Sequence, residues 1–315
     1  MARKSNLLVD GLVYVLARLL TAALQCWPLR AMLAVARRLG DFLYWVDSHH
    51  RRIAADNIRR AFGAWTEEQV RACARRSFAN LCMLAVETMF APRVLRLDTW
   101  RRHVRLEKFQ EALELLLRRR SGLILLTAHW GNWEVLGYTL AMLGLEVNVV
   151  ARPLDNPFVE DWLLDIRQRK GQRMVAKKGA TIEVAQALER GEPVALVADQ
   201  DAGRKGVFVD FFGRPASTYK SIALLAMHYE VPIVVGCAQR LDGDFHFRIT
   251  VQDIIRPDDW RSQRDPLRYI TQRYTGAIEG FVRLAPDQYL WAHRRWKTRP
   301  GGEAAAGTAA TPPAN

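Results

Sequence analysis

From about residue 122 onward short apolar runs alternate with helical stretches, and this alternation constrains the fold more than any other feature of the chain. Gly122-Leu123-Ile124-Leu125-Leu126-Thr127 is apolar almost throughout, as a strand buried on both faces must be. Gly131-Asn132 breaks it, and Trp133 to Leu143 has helical spacing. Val147 to Arg152 is a second strand, stopped by Pro153, and helices follow at Asp161 to Lys170 and Ala180 to Arg190. Pro193 to Ala198 makes a third strand, Ser221 to Tyr229 a helix and Val231 to Ala238 a fourth strand. Phe245 to Val251 alternates polar with apolar residues as a fifth, and a long helix runs from about Pro266 to Leu284. The pattern predicts an α/β fold: a central sheet, mostly parallel or mixed, with helices on its faces.

The first hundred residues carry no strand-like alternation and read as helical. RRIAADNIRRAF at 51–62 spaces apolar residues between basic ones. Thr66-Glu67-Glu68-Gln69 has the form of a capping box and opens a helix expected to run through Met89, ahead of Pro92. Before these lies Gly11 to Leu29, nineteen residues with one charge, Arg18. A bilayer span needs about 20 mostly apolar residues, and a central Arg costs about 2.5–3.5 kcal/mol on insertion scales. Three arrangements fit: a tilted span with Arg18 snorkelling, an interfacial helix, or a buried core helix. Membrane attachment is the preferred reading. A cleaved signal peptide is disfavoured, because Arg18 interrupts the apolar region and no clean A-x-A site follows. Arg3, Lys4, Arg30, Arg37 and Arg38 flank both ends, so charge does not set an orientation. The expected organisation is an N-terminal helical membrane-anchoring region at 1–48, an α/β domain at 49–299, and a disordered Gly/Ala/Thr/Pro tail at 300–315.

Charge narrows the partners. Lys and Arg number 46 against 33 Asp and Glu, a net charge of +13, which favours anionic partners. The basic residues are spread between apolar helix positions and no nucleic-acid-binding module is recognisable, so nucleic acid is not an expected partner. Cys26, Cys73, Cys82 and Cys237 show no C-x-x-C pairing and no zinc spacing, and read as reduced, structural residues.

The residues suited to chemistry gather where strands end. His129 and Glu134 are five apart and would diverge by about 140° on one helix. A turn at Gly131, with Asn132 as N-cap, puts Glu134 in the first turn of a helix and His129 in the loop before it. That is a strand-to-helix crossing at the carboxyl edge of a sheet, where α/β proteins place ligands. A His beside a carboxylate there has the makings of a general base; a packed polar residue and a helix-dipole carboxylate would leave the same pattern. Arg152 ends the second strand, and Asp199, Gln200 and Asp201 end the third. They converge on the same edge or serve as a strand cap and a turn. Asp and Gln alone form a sparse ligand set, so no metal is expected. Gly206 to Gly213, with Phe211 and Phe212 near its end, reads either as a loop lining an apolar channel or as a hairpin in the core. Gln288 to Lys297 mixes aromatics with basic residues, including Arg294 and Arg295, and reads as a site for phosphate groups, nucleic acid or membrane headgroups.

Together these segments resemble the late acyltransferases of lipid A biosynthesis. The matching pieces are DNIRRAF at 56–62, LLTAHWGNWE at 125–134, ARP at 151–153, ADQDAG at 198–203, GVFVDFFGRPAST at 206–218, VPIV at 231–234 and QYLWAHRRWK at 288–297. Their order and spacing agree over about residues 10–298. The resemblance implies transfer of a fatty acyl chain from acyl carrier protein to a hydroxyl of an anionic, Kdo-bearing lipid A precursor, at the cytoplasmic face of the inner membrane, with no cofactor. It implies His129 as general base, with Glu134 as its charge-relay partner. It implies Arg152, Asp199 and Asp201 as residues framing the site, and Phe211, Phe212, Gly213, Arg294 and Arg295 as substrate contacts. Enzymes with a similar His–acid motif acylate other lipids, including phosphatidylinositol mannosides. Glu134 matches the lipid A branch, whereas the glycerolipid branch more often has Asp at that place.

Overall fold

The computed structural model describes residues 7–118, 122–151, 156–168, 172–176 and 180–300. Arg152 and residues 301–315 of the expected tail lie outside the described residues. Seven strands form the main sheet: β1 (Val104–Glu107), β2 (Leu123–Thr127), β3 (Val147–Ala151), β4 (Gln172–Ala176), β5 (Pro193–Val197), and, after a separate hairpin of β6 (Val207–Phe211) and β7 (Arg214–Thr218), β8 (Ile233–Arg240) and β9 (Phe247–Ile255). Their order is β1-β9-β8-β2-β5-β3-β4. The run β8-β2-β5-β3-β4 is parallel, β9 is antiparallel to β8, and β1 pairs parallel with β9.

All five strands read from the sequence are present. The two it missed, β1 and β4, are the edge strands. Neither carries an apolar run: β1 reads Val-Arg-Leu-Glu and β4 Gln-Arg-Met-Val-Ala. The segment 206–213 takes the hairpin form. Phe212 and Gly213 make its two-residue turn, with φ of 57° and 70°, as a primed hairpin turn requires.

Eleven helices occur among the described residues. In the N-terminal half, α1 (Leu7–Gln25), α2 (Leu29–Val46), α3 (Ser48–Ala61) and α4 (Glu67–Val94) precede the sheet, and α5 (Gln110–Arg118) follows β1. The expected capping box opens α4: Gln69 N–H donates to Thr66 Oγ1 at 3.3 Å, and Thr66 N–H to Gln69 Oε1 at 2.8 Å. The helix runs past Met89 to Val94. Pro92 falls in the last turn, where the hydrogen bond it forfeits is among the last the helix would make. Then come α6 (Trp133–Met142), α7 (Pro157–Gln168), α8 (Ala180–Glu189), α9 (Lys220–Tyr229), α10 (Pro257–Arg261) and α11 (Pro266–Leu284).

Helix α1 is not a core helix. Thr21 is its one buried residue among those described, and Leu8 is 86% exposed. Its mean hydropathy of 1.9 and its length suffice to cross a membrane. Arg18 folds back along it, donating from Nη1 to Tyr14 Oη at 3.1 Å and lying 5.5 Å from the Trp162 ring centroid. The next helix, α2, packs on α4, where a Cβ at Gly40 would stand 2.3 Å from Ala79 Cα. Phe42, Trp45 and Val46 of α2 are left exposed.

Candidate active site

The site forms where β2 and β5 end side by side. Ala198 N–H donates to the Thr127 carbonyl at 3.0 Å, which sets the loops after the two strands in register. Asp199 then reaches His129 with both oxygens. The backbone N–H of His129 donates to Oδ2 at 3.1 Å, and its Nδ1 lies 2.8 Å from Oδ1. The Asp199 side chain is fully buried, while that of His129 is 19% exposed. Burial opposes ionisation of Asp199, but the neighbouring imidazoles of His129 and His293 and the His129 N–H outweigh it and hold the carboxyl well below its usual range. An ionised carboxylate accepts only, so Nδ1 carries the proton.

The loop that carries His129 is clamped from several sides. Gly131 has φ +61°, and a Cβ there would stand 2.0 Å from the Ala238 carbonyl oxygen. Gly131 N–H donates to the Gln288 carbonyl at 3.0 Å, Asn132 N–H to Ala238 at 2.9 Å, and Leu290 N–H to the His129 carbonyl at 2.9 Å. Asn132 caps α6, accepting from Val135 N–H at 2.9 Å, and donates from Nδ2 to Glu87 Oε2 at 2.7 Å. Glu87 is buried in α4 and pairs with Arg240 through two contacts of 2.5 Å. Asn57 donates from Nδ2 to the Trp291 carbonyl at 2.8 Å and Ser77 from Oγ to that of Tyr289 at 2.6 Å, fastening the 286–297 segment across the loop.

Glu134 and His129 both line the mouth of one cavity of about 900 Å³, with Trp133, whose ring centroid is 5.0 Å from that of His129. The cavity wall is otherwise mostly aliphatic. Glu134 accepts a two-pronged contact from Arg167 of α7: Nε to Oε2 at 3.1 Å and Nη2 to Oε1 at 2.5 Å. Thus Asp199 is the carboxylate on Nδ1, and Glu134 is tied to an Arg. His293 brings a second imidazole, its centroid 4.8 Å from that of His129. Burial, then the charge of His129, pushes its pKa down.

The other residues singled out from sequence are dispersed. Asp201 accepts from Thr298 N–H at 3.1 Å and Thr298 Oγ1 at 2.9 Å and so tethers the end of the 286–300 segment, while its neighbour Gln200 lines the cavity. Phe211, Phe212 and Gly213 do not reach the cavity; the two rings are packed in the core against Tyr289, Trp291 and Trp296. Arg295 is buried, donating to the Ser217 carbonyl and to Thr218 Oγ1, each at 2.7 Å. Arg294 is exposed, 3.5 Å from His49 Nε2. Sequence reasoning missed Arg167, His293, Glu87 and Arg240. Each acts on a partner remote in the chain, so no local spacing announces it. Burial pushes the thiols of Cys73 and Cys237 up to about 12, which leaves neither as a nucleophile.

An imidazole backed by a buried carboxylate, beside an apolar cavity and on the carboxyl edge of a sheet, defines a class: α/β proteins with a polar His–Asp pair set against space for hydrocarbon. The particular family follows from comparison with known proteins. The family model for bacterial lipid A biosynthesis acyltransferases matches residues 2–298, and the chain belongs to that family. It is 26% identical over 283 residues to a lipid A biosynthesis acyltransferase of Haemophilus influenzae, covering 88% of this chain and 85% of the relative. It is 25% identical over 256 residues to the lipid A biosynthesis lauroyltransferase of Escherichia coli, covering 80% of each. With that organism's myristoyltransferase it shares 27% over 278 residues, 85% of this chain and 82% of the relative.

Proposed function

We propose that the protein transfers a fatty acyl chain from acyl carrier protein to a hydroxyl of a Kdo-bearing lipid A precursor, at the cytoplasmic face of the inner membrane. The observation that carries the reading is the hold of Asp199 on His129 at the mouth of the cavity. With Nδ1–H donating to Asp199, proton transfer falls to Nε2. The acceptor hydroxyl gives its proton to Nε2 as its oxygen attacks the thioester carbonyl carbon. The tetrahedral oxyanion then collapses, the C–S bond breaks, and the departing thiolate takes the proton back from the imidazolium. Ester and thiol are the products, and no Ser or Cys nucleophile intervenes.

Asp199 fixes the tautomer and stabilises the imidazolium, the orienting task of a triad carboxylate. Glu134 stands at the cavity with its charge paired and its carboxylate held in place by Arg167. The apolar cavity suits an acyl chain, whose burial is favourable in proportion to its length. The charge of +13 suits an acidic carrier protein and a phosphorylated acceptor, and α1 suits an acceptor that stays in the membrane. Mass spectrometry of membrane glycolipids from cells with and without the protein tests the reading. Gain of one acyl mass on lipid A species is the expected result; unchanged lipid A with an acylated phospholipid would replace the acceptor.

A further inference from the structure

The cavity occupies both faces of the sheet. Side chains alternate along a strand, and the pairing register sorts them. Leu125, Ala195 and Val149 lie abreast on one face, and Leu126 and Leu196 on the other. The first face shares one core cluster with α6, to which Leu125, Leu136 and Tyr138 belong. The second shares another with α8 and α9, to which Leu126, Val184, Ile222 and Leu225 belong. Residues of both faces line the same cavity.

The two sides join where strands part. β2 pairs with β5 along its whole length and β3 with β4 along its whole length, but β3 meets β5 only at Asn148–Val194 and Val149–Ala195. Beyond that point Val150, Ala151, Leu196 and Val197 line the cavity instead of continuing the ladder. The opening lies at the carboxyl edge, on the side of β5 away from β2 and level with the loop of His129.

We infer that the two limbs receive the two hydrocarbon chains of the reaction: the α6 limb the acyl chain of the donor, and the α8–α9 limb an acyl chain of the lipid acceptor. This rests on the proposed function. Esterifying a hydroxyl borne on an acyl chain brings two chain-bearing partners to one base, and reacting groups meet in line only if each partner is held separately. The limbs differ as the two partners do. The α6 limb runs down the sheet from Ala151 to Val147, four strand steps or about 13 Å, and ends against Leu140 and the buried Gln172. Gly137 provides its width, since a Cβ there would stand 2.6 Å from Gln172 Nε2. A chain delivered from water on a soluble carrier needs such a closed slot. The α8–α9 limb is open along its side, with Leu224 45% exposed and Ser221 and His228 on the surface. An acceptor lying in a membrane enters sideways through an open groove.

The test uses full-length protein in detergent, acyl carrier donors of graded chain length, and a lipid A precursor. Gly137→Leu and Leu140→Trp are expected to move the donor optimum to shorter chains and to leave acceptor KM within about twofold. Leu225→Trp and Leu224→Trp are expected to raise acceptor KM about tenfold, the scale of filling an apolar slot, with the donor optimum unmoved. Leu140→Trp carries the first arm should Gly137→Leu misfold, and the surface variant Leu224→Trp carries the second. Shorter donor optima in the α9 variants, or raised acceptor KM with an unchanged donor profile in the α6 variants, would overturn the assignment. Absence of transfer by the wild-type protein would overturn the proposed function, and the limb assignment with it, a result distinct from either pattern.

Discussion

Gly131 holds a backbone angle that only glycine adopts readily, and it does so 2.0 Å from where Ala238's carbonyl oxygen would meet a Cβ. Gly131→Ala must displace either the end of β8 or the loop that carries His129. A cost on the order of 1–3 kcal/mol is expected, read as a lower unfolding midpoint in detergent, with turnover falling further than stability explains. Titration acts at the same scale. His293 has a folded-state pKa below its usual 6.5, so its neutral form favours the fold. Its stabilising contribution is complete above about pH 6.5 and is lost as pH falls through the depressed folded value. Asp199, also depressed, keeps its contribution down to the acid range below about pH 4. The unfolding midpoint of the wild-type protein is therefore expected to fall as pH drops below about 6.5, and His293→Gln to flatten that limb; an identical slope in the variant would remove His293 as its source. At this scale the sequence was legible where chemistry sits at strand ends. His129, Glu134 and Asp199 all stand within reach of one edge because β2 and β5 end there together. Which carboxylate faces Nδ1 was not legible: it depends on Arg167, 33 residues beyond Glu134, drawing that side chain to itself.

At the scale of elements, buried strands announced themselves and edge strands did not. β2, β3, β5 and β8 are apolar because helices cover both faces, whereas β1 and β4 have a free edge and mixed sequences. The hairpin's role was ambiguous in sequence because Phe211 and Phe212 suit a channel wall and a core equally. The structure seats both rings against the aromatic residues of the 289–296 segment. α4 and β8 are joined by the Glu87–Arg240 pair, which also holds Asn132. Arg240→Met would leave a buried carboxylate uncompensated, and a loss of about 3–5 kcal/mol is expected from urea unfolding in detergent. A loss under about 1 kcal/mol would show that the pair is not what joins these elements.

Helices α1 and α2 both carry large apolar side chains exposed on the surface. Among the described residues Leu16 and Leu20 of α1 are 56% and 60% exposed. Membrane association is expected to resist high salt in the wild-type protein. Leu16→Arg with Leu20→Arg should release it to the soluble fraction, because each charge costs about 2.5–3.5 kcal/mol in the membrane; release of the wild type by salt alone would instead mean electrostatic attachment. In the proposed function, the sheet and the cavity set His129 where a membrane lipid and a carrier-bound chain meet. The measurement that reaches this account most directly is turnover of a lipid A precursor with an acyl carrier donor by wild-type, His129→Ala and Asp199→Asn proteins of matched fold. No detectable transfer by His129→Ala is expected, with a drop of about 10³–10⁴ in kcat for Asp199→Asn, the scale of losing a tautomer-fixing carboxylate; near-normal turnover by His129→Ala would contradict the proposed mechanism.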